Sequence, residues 1–84
     1  MFTHAKDQVQ RMIGGDSVTI IKDDWKLLFS HNKVADGQLE LHAQRNDPDA
    51  SVSMNITYVR FFKILQIPSF PSSSEDLVHL ISSI

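Results

Sequence analysis

The chain has no cysteine, only three glycines and three prolines, and no long apolar run. Without cysteine it can form neither disulfides nor thiolate metal sites, and we expect a reducing compartment, with the cytoplasm as the location. No segment approaches the roughly 20 apolar residues of a membrane span. The N-terminal segment also lacks the apolar stretch of a signal peptide. We therefore expect no membrane partner.

An excess of charge of either sign is also absent. Eight lysines and arginines stand against ten aspartates and glutamates, which gives a formal net charge of −2. The basic residues are scattered and interleaved with acidic ones. A nucleic-acid-binding protein usually carries a basic stripe that neutralises phosphates. The charge pattern therefore does not favour a nucleic-acid partner.

The length of 84 residues predicts a single small globular domain over residues 1–84. A chain of this size buries only about 60–65% of the surface that its unfolded form exposes, so its core is modest. A deep, dry enzyme pocket is hard to build from so little material. A homodimer would ease the shortage of core.

The most informative segment is 38–58, where apolar and polar residues alternate on both sides of a predicted turn at 46–49. Leu39, Leu41 and Ala43 point to one side, and the residues between them point to the other. After the turn, Val52, Met54 and Ile56 alternate with polar residues in the same way. A period of two in consecutive runs predicts an antiparallel hairpin with one buried and one solvated face. The register places Ala43 opposite Val52 and Leu41 opposite Met54.

Other segments complete the expected architecture. Thr3 can cap a helix that runs to Ile13 and stops at Gly14-Gly15. A first hairpin over 18–30 turns at Asp23-Asp24 and brings Val18 opposite Phe29. The segment 59–67 favours a short helix before Pro68, with a continued strand as the alternative.

The C-terminal part of the chain predicts a further helix. Ser72 with Glu75 forms a capping box before a helix with apolar residues on one face. The fold class is thus α+β: an N-terminal helix, a four-stranded antiparallel meander, and one or two short C-terminal helices packed on one face of the sheet. This layout occurs in many unrelated small domains, so it does not indicate a function.

The sequence shows no pattern of a catalytic, cofactor-binding or metal site. The four histidines are not spaced as metal ligands. His42 beside Ser53 is the one predicted Ser-His contact, and an open sheet gives it neither an orienting acid nor an oxyanion hole. We therefore assign no catalytic, cofactor-binding or metal-binding residue and expect that the protein is not an enzyme.

Two predicted surfaces are candidates for protein binding. The first is the polar face of the second hairpin, and the second comprises Ile21 and Leu28 on the reverse face of the first hairpin. Trp25 is a candidate contact anchor, because interface hot spots favour tryptophan, although a place in the core also accounts for it. The polar set consists of Gln38, Glu40, His42, Gln44, Ser53 and Asn55.

The leading hypothesis is a non-catalytic module that binds a larger protein through one face of its sheet, as an inhibitor, adaptor or immunity-type antagonist, including those of mobile genetic elements. A first alternative is a small-ligand binder with a pocket at a homodimer interface. A second is a small enzyme that uses His42. Small polar side chains on an outward strand face also fit a plain solvated surface.

Overall fold

A computed structural model of the protein describes residues 2–35, 37–46 and 49–84. In these ranges the four strands form one antiparallel sheet in the order β1-β2-β3-β4. This is the α+β architecture that the sequence predicts. The elements in chain order are α1 (Phe2–Ile13), β1 (Val18–Lys22), β2 (Trp25–His31), β3 (Gln38–Asn46), β4 (Asp49–Thr57), α2 (Tyr58–Leu65) and α3 (Ser74–Ser83).

Both hairpins have the predicted registers. Val18 pairs with Phe29 across β1 and β2, and Leu41 pairs with Met54 across β3 and β4. A slip of one residue would turn the apolar side chains toward water, which is why the alternation fixes the register. The two-residue turn between β1 and β2 forms at Asp23 and Asp24, as predicted, with Asp23 at φ 53°.

The predicted turn at 46–49 includes Asp47 and Pro48, which lie outside the described residues. Asn46 and Asp49 are the last paired residues on either side of it. Because the pairing reaches these two positions, the ladder between β3 and β4 extends along all nine residues of each strand.

One face of the sheet carries the core, and the helices pack on this face. The aromatic rings of Phe29 in β2 and Phe61 in α2 meet edge to face, with centroids 4.8 Å apart. Such a pair is worth about 0.5–1.5 kcal/mol beyond its area burial. The short helix that the sequence favours for 59–67 is confirmed as α2, and it has a buried side. The helical residues with no exposed surface are Met12, Phe61, Ile64, Leu77 and Ile81.

The first helix differs from the prediction at its start and agrees with it at its end. It begins at Phe2, so Thr3 lies within the helix and not at its N-cap. Met12 is fully buried and belongs to the core, whereas its neighbour Ile13, the last residue of the helix, is 61% exposed. The predicted stop is confirmed, because Gly15 takes φ 101°, a left-handed conformation that costs glycine little.

The last helix begins one residue later than predicted. The hydroxyl of Ser73, not that of Ser72, accepts a hydrogen bond from the backbone N–H of Asp76 at 3.1 Å. Glu75 and Asp76 stand in the first turn, where their negative charge suits the positive end of the helix dipole. Its buried residues, Leu77 and Ile81, dock it on the sheet as expected.

The connection between α2 and α3 is fastened to one end of the sheet. The indole Nε1 of Trp25 donates to the carbonyl oxygen of Pro71 at 2.9 Å. The carboxylate of Asp23 accepts from the backbone N–H of Phe70 at 2.7 Å, and the guanidinium of Arg45 donates to the carbonyl of Ser72. These contacts place the connection over the end of the sheet where β1 turns into β2.

Candidate functional site

The face of the sheet turned away from the helices is the candidate functional site, and we call it the open face. Strand pairing arranges its residues in rows that cross the sheet. Among the described residues, no helix packs against this side. The open face consists of Thr19, Ile21, Lys26, Leu28, Ser30, Gln38, Glu40, His42, Gln44, Asn46, Asp49, Ser51, Ser53, Asn55 and Thr57.

The two surfaces that sequence analysis treats separately form one continuous surface. Leu28 of β2 pairs with His42 of β3, and His42 pairs with Ser53 of β4. In the next row Ile21 is linked through Lys26 to Gln44. The apolar and the polar candidates are therefore parts of a single surface.

Exposure differs between the apolar members of this surface. Ile21 is 76% exposed, which is high for a large aliphatic side chain, whereas Leu28 is half-buried. Ile21 lies in the outermost strand, where it has a neighbouring strand on one side only. Its exposure therefore follows from its place at the edge, and it leaves an apolar group available to a partner.

His42 is held between two partners on the open face. Its Nδ1 lies 3.0 Å from the hydroxyl oxygen of Ser53, which confirms the predicted neighbours. Its Nε2 lies 3.9 Å from a carboxylate oxygen of Glu40, too far for a hydrogen bond. Both side chains of the latter pair are about half exposed, at 52% and 47%.

Ser53, His42 and Glu40 follow one another in the order of a Ser-His-acid catalytic triad, but their environment differs from that of a triad. Water reaches both His42 and Glu40, and solvent screening leaves an exposed pair with little interaction energy. Catalysis by preorganised dipoles requires a site from which water is excluded. An open strand surface does not exclude water from Ser53. The geometry supports hydrogen bonding to a partner better than it supports activation of a nucleophile.

One corner of the open face is fixed by a buried asparagine that sequence analysis missed. Asn32, 5% exposed, donates from Nδ2 to Oδ1 of Asn55 at 3.1 Å. Its own Oδ1 accepts from the backbone N–H groups of Val34 and Ala35 at 2.9 and 3.0 Å. Asn32 thus orients Asn55 and stabilises the loop after β2. In the sequence, the position of Asn32 directly after a strand and before a loop is typical of an Asx turn.

Gln38 and Gln44 lie at opposite ends of the strand they share. Gln38 is half-buried and pairs with Thr57, whereas Gln44 is exposed and pairs with Ser51. Gln44 borders a shallow groove of about 180 Å³ together with Leu28 and His42. The polar candidates are therefore spread along the whole length of the open face and do not converge on one point.

Trp25 is not part of this surface. It points to the helix side of the sheet and is 1% exposed, so it cannot serve as an exposed contact anchor. The cause is its register: Trp25 pairs with Lys22 and Arg45, in a row that belongs to the core face. The guanidinium carbon of Arg45 lies 5.9 Å from its ring centroid, within the range of a cation–π contact.

Several members of the open face were not predicted as site residues. Lys26 and Ser30 flank Leu28 at a spacing of two, so the period that places Leu28 on this face places them there as well. Thr19 and Ser51 follow from the same rule. With one lysine against one glutamate and one aspartate, Lys26 against Glu40 and Asp49, the open face carries little formal charge.

In the ranges that the structure describes, no three potential ligands lie close enough together to hold a metal ion. None of the helices described is both long enough and apolar enough to cross a membrane. Comparison of the chain with family models, with curated proteins and with solved structures finds no match.

Proposed function

We propose that the protein is a non-catalytic binding module that attaches to a larger protein through the open face. One observation supports this proposal. The described helices pack on one side of a four-stranded sheet, and the other side faces solvent. Such a module would act as an inhibitor, adaptor or antagonist by covering part of its partner.

The chemistry of the open face suggests the kind of surface that it would fit. Its side chains are mainly hydroxyls and amides, which donate and accept hydrogen bonds without the desolvation cost of a full charge. Ile21 and Leu28 add an apolar ridge at one side. A partner with an apolar depression beside uncharged polar groups would be complementary to it.

The balance of charge argues against steering by long-range electrostatics. Lys26 offsets one of the two acidic residues of the open face, Glu40 and Asp49, so the net formal charge of this face is small. Association would then proceed at the rates of weakly charged proteins and depend little on ionic strength. A nucleic-acid partner would show the opposite behaviour, because phosphate contacts make binding strongly dependent on salt.

The test compares Ile21→Glu with Val59→Glu. Both residues are exposed β-branched aliphatics, at 76% and 63%, but Val59 lies on α2 in the helix layer. The immobilised protein is used to capture partners from its native host, and the affinity of each captured protein is then measured by calorimetry. We expect Ile21→Glu to weaken binding about 30-fold or more, as loss of a hot spot does, and Val59→Glu to leave it unchanged.

A second variant tests the polar part of the surface. Alanine at Gln38, His42, Ser53 and Asn55 together should abolish binding of the same partner while the far-ultraviolet circular dichroism spectrum stays unchanged. A partner that binds both this variant and Ile21→Glu with wild-type affinity would show that the open face is not the binding surface. If no partner is captured, the open face is better explained as a solvated surface.

The hydrogen bond between His42 and Ser53 supports one further candidate, a small hydrolytic enzyme with His42 as the base. This activity would require Ser53 to attack an acyl group while His42 accepts its proton. Hydrolysis of an activated ester by the wild-type protein, lost in His42→Ala and in Ser53→Ala, would establish it. Equal rates in the three proteins would eliminate it.

A small-ligand site ranks below these two functions. Grooves of about 180 and 270 Å³ mark the open face and its end near the β1–β2 turn. Both are below the roughly 300–1,000 Å³ of typical ligand pockets. A groove of about 370 Å³ at the opposite end, beside Ser30 and Glu40, reaches this range but is lined in part by the exposed side chains of Lys33 and Val34. A ligand site there would need walls from a second chain, and a ligand would be detected as a rise in melting temperature in a metabolite screen.

A further inference from the structure

The outer edge of β4 lacks the features that usually protect an edge strand. Strands β1 and β4 form the two edges of the sheet. Strand β1 has five residues and ends on a lysine, Lys22, whereas β4 has nine. The one charged residue of β4 is Asp49 at its start, and from residue 50 to residue 57 the strand contains no charged residue, no proline and no glycine. Natural proteins shield edges with short strands, charges or prolines, because free backbone groups invite pairing with another chain.

Apart from Thr57, which is the N-cap of α2 and whose carbonyl accepts the first hydrogen bond of that helix, the backbone of β4 has no other partner in the part of the chain that the structure describes. Its ladder runs to β3 alone, and none of the described backbone hydrogen bonds of loops or helix ends reaches residues 49–57. The N–H and C=O groups that point away from β3 are therefore available for a further ladder. At the usual rise per residue this edge is roughly 30 Å long.

Apolar side chains along the same edge are incompletely covered. On the core face of β3, Leu39 and Leu41 have no exposed surface. On the core face of β4, Ala50 and Met54 are only partly buried, although they belong to the same layer. A strand added beside β4 would cover these side chains and extend the core.

We infer that β4 pairs with β4 of a second copy of this chain, in antiparallel orientation about a two-fold axis at Ser53. The argument for a second copy is that the strand is complementary to itself in this register. Ser53 meets the second copy's Ser53, Val52 meets Met54, and Ala50 meets Ile56. Apolar residues oppose apolar ones on the helix side, polar residues oppose polar ones on the open face, and no like charges face each other.

This arrangement preserves the two faces of the sheet. Directly opposite residues in an antiparallel pair point to the same side, so both open faces lie on one side of a continuous eight-stranded sheet and both helix layers lie on the other. The dimer is inferred from β4 itself and does not depend on a protein-binding role for the open face. It would double the open surface without covering it.

The first test measures the mass in solution of the wild type and of two lysine variants. Ser53 and Thr19 occupy opposite ends of one row of the sheet, on the open face, and both are exposed. We expect light scattering to give twice the 9.5 kDa of one chain for the wild type and for Thr19→Lys. We expect Ser53→Lys to give the mass of one chain, because its two lysines would face each other across the axis.

Charge reversal tests whether the two copies contact each other directly at residue 53. It also distinguishes the loss of this contact from any other reason for a lower mass of Ser53→Lys. Ser53→Glu alone should also be monomeric, whereas an equimolar mixture of Ser53→Lys and Ser53→Glu should recover the mass of two chains. A wild type that is monomeric up to millimolar concentration would overturn the proposal. Dimers that persist in both Ser53 variants would also overturn it, because they would form through another surface.

The absence of natural cysteine allows a second, independent test. Opposite Cα atoms in antiparallel strands are about 4.5–5.5 Å apart, within the range of about 4.4–6.8 Å that disulfides span. Under mild oxidation Ser53→Cys should form a covalent dimer on a denaturing gel, and Thr19→Cys should form none, because its dimer is held by β4 without a disulfide. Equal cross-linking of the two variants would contradict pairing at β4.

A different outcome is that the wild type is monomeric and binds a strand of another protein, and that Ser53→Lys no longer binds it. This result would show that the edge of β4 pairs with another protein and not with a second copy of this chain.

Discussion

Leu28 lies directly opposite His42 in the ladder between β2 and β3. One is an aliphatic residue and the other an imidazole that is hydrogen-bonded to Ser53, so apolar and polar parts of the open face meet at this pair. The contact makes one surface out of two stretches of sequence that are more than ten residues apart. The open face therefore has the mixed apolar and polar character that is also found in protein interfaces.

We expect His42→Ala and Ser53→Ala to leave the stability nearly unchanged. Their hydrogen bond is exposed, and surface substitutions of this kind usually change the free energy of unfolding by less than about 0.5 kcal/mol. Urea denaturation of each variant beside the wild type measures this. A loss above about 1 kcal/mol would mean that the pair supports the fold, and effects of these variants on binding would then be ambiguous.

Asn32→Ala should destabilise the protein more than Asn55→Ala does. The first variant leaves the backbone N–H groups of Val34 and Ala35 without their acceptor and removes the bond to Asn55, which we expect to cost about 1–3 kcal/mol. The second variant removes only the last of these bonds, at about 0.5–1.5 kcal/mol. Chemical denaturation of both variants checks the order, and equal losses would contradict the role assigned to the loop contacts.

Arg45→Ala should cost far more than Asp24→Ala, although the two residues form one ion pair at 3.3 Å. Arg45 is buried and contacts Trp25 and the carbonyl of Ser72, so we expect a loss of about 2–3 kcal/mol from packing and hydrogen bonding. The side chain of Asp24 is 75% exposed, and such a pair contributes about 0–1 kcal/mol. Thermal denaturation of the two variants distinguishes these contributions, and similar melting temperatures would show that the ion pair dominates.

Ser73→Ala and Ser72→Ala form a matched pair for the start of α3. Loss of the N-cap hydroxyl of Ser73 should cost about 1 kcal/mol, because the backbone N–H of Asp76 loses its acceptor. Ser72 does not cap the helix, so its hydroxyl should be dispensable. Melting temperatures measured by circular dichroism give the comparison. A larger loss in Ser72→Ala would return the cap to the position that the sequence predicts.

The registers of both hairpins could be predicted because each strand repeats one simple rule. A period of two with one apolar face allows one alignment that keeps Val18, Phe29, Leu41 and Met54 on the same side. The start of α3 was harder to locate. Three consecutive serines offer the same chemistry to a helix start, and only the path of the connection from Pro71 decides which of them takes the cap.

The site was predictable in part for the same reason. The period of two assigns Gln38, Glu40, His42, Gln44, Ser53 and Asn55 to an outward face, and these residues do lie together on the open face. The period of two does not predict which residues from other parts of the chain contact these strand residues. It could not show that Asn32 would bond Asn55, since that contact depends on how the loop after β2 folds back.

The sequence by itself determined the elements, the strand order and which residues share a face of the sheet, because these follow from local periodicity and short connections. Only the tertiary structure decided how far each of these residues is covered: it buries Trp25 and Arg45 beneath the connection between α2 and α3 and leaves Ile21 exposed. The physical reason is that side chains in β1 to β4 are sorted by pairing between neighbours, whereas the cover over each residue depends on where the helices and the connections between them pack. Because the helices cover one face, the open face and the outer edge of β4 remain in contact with solvent.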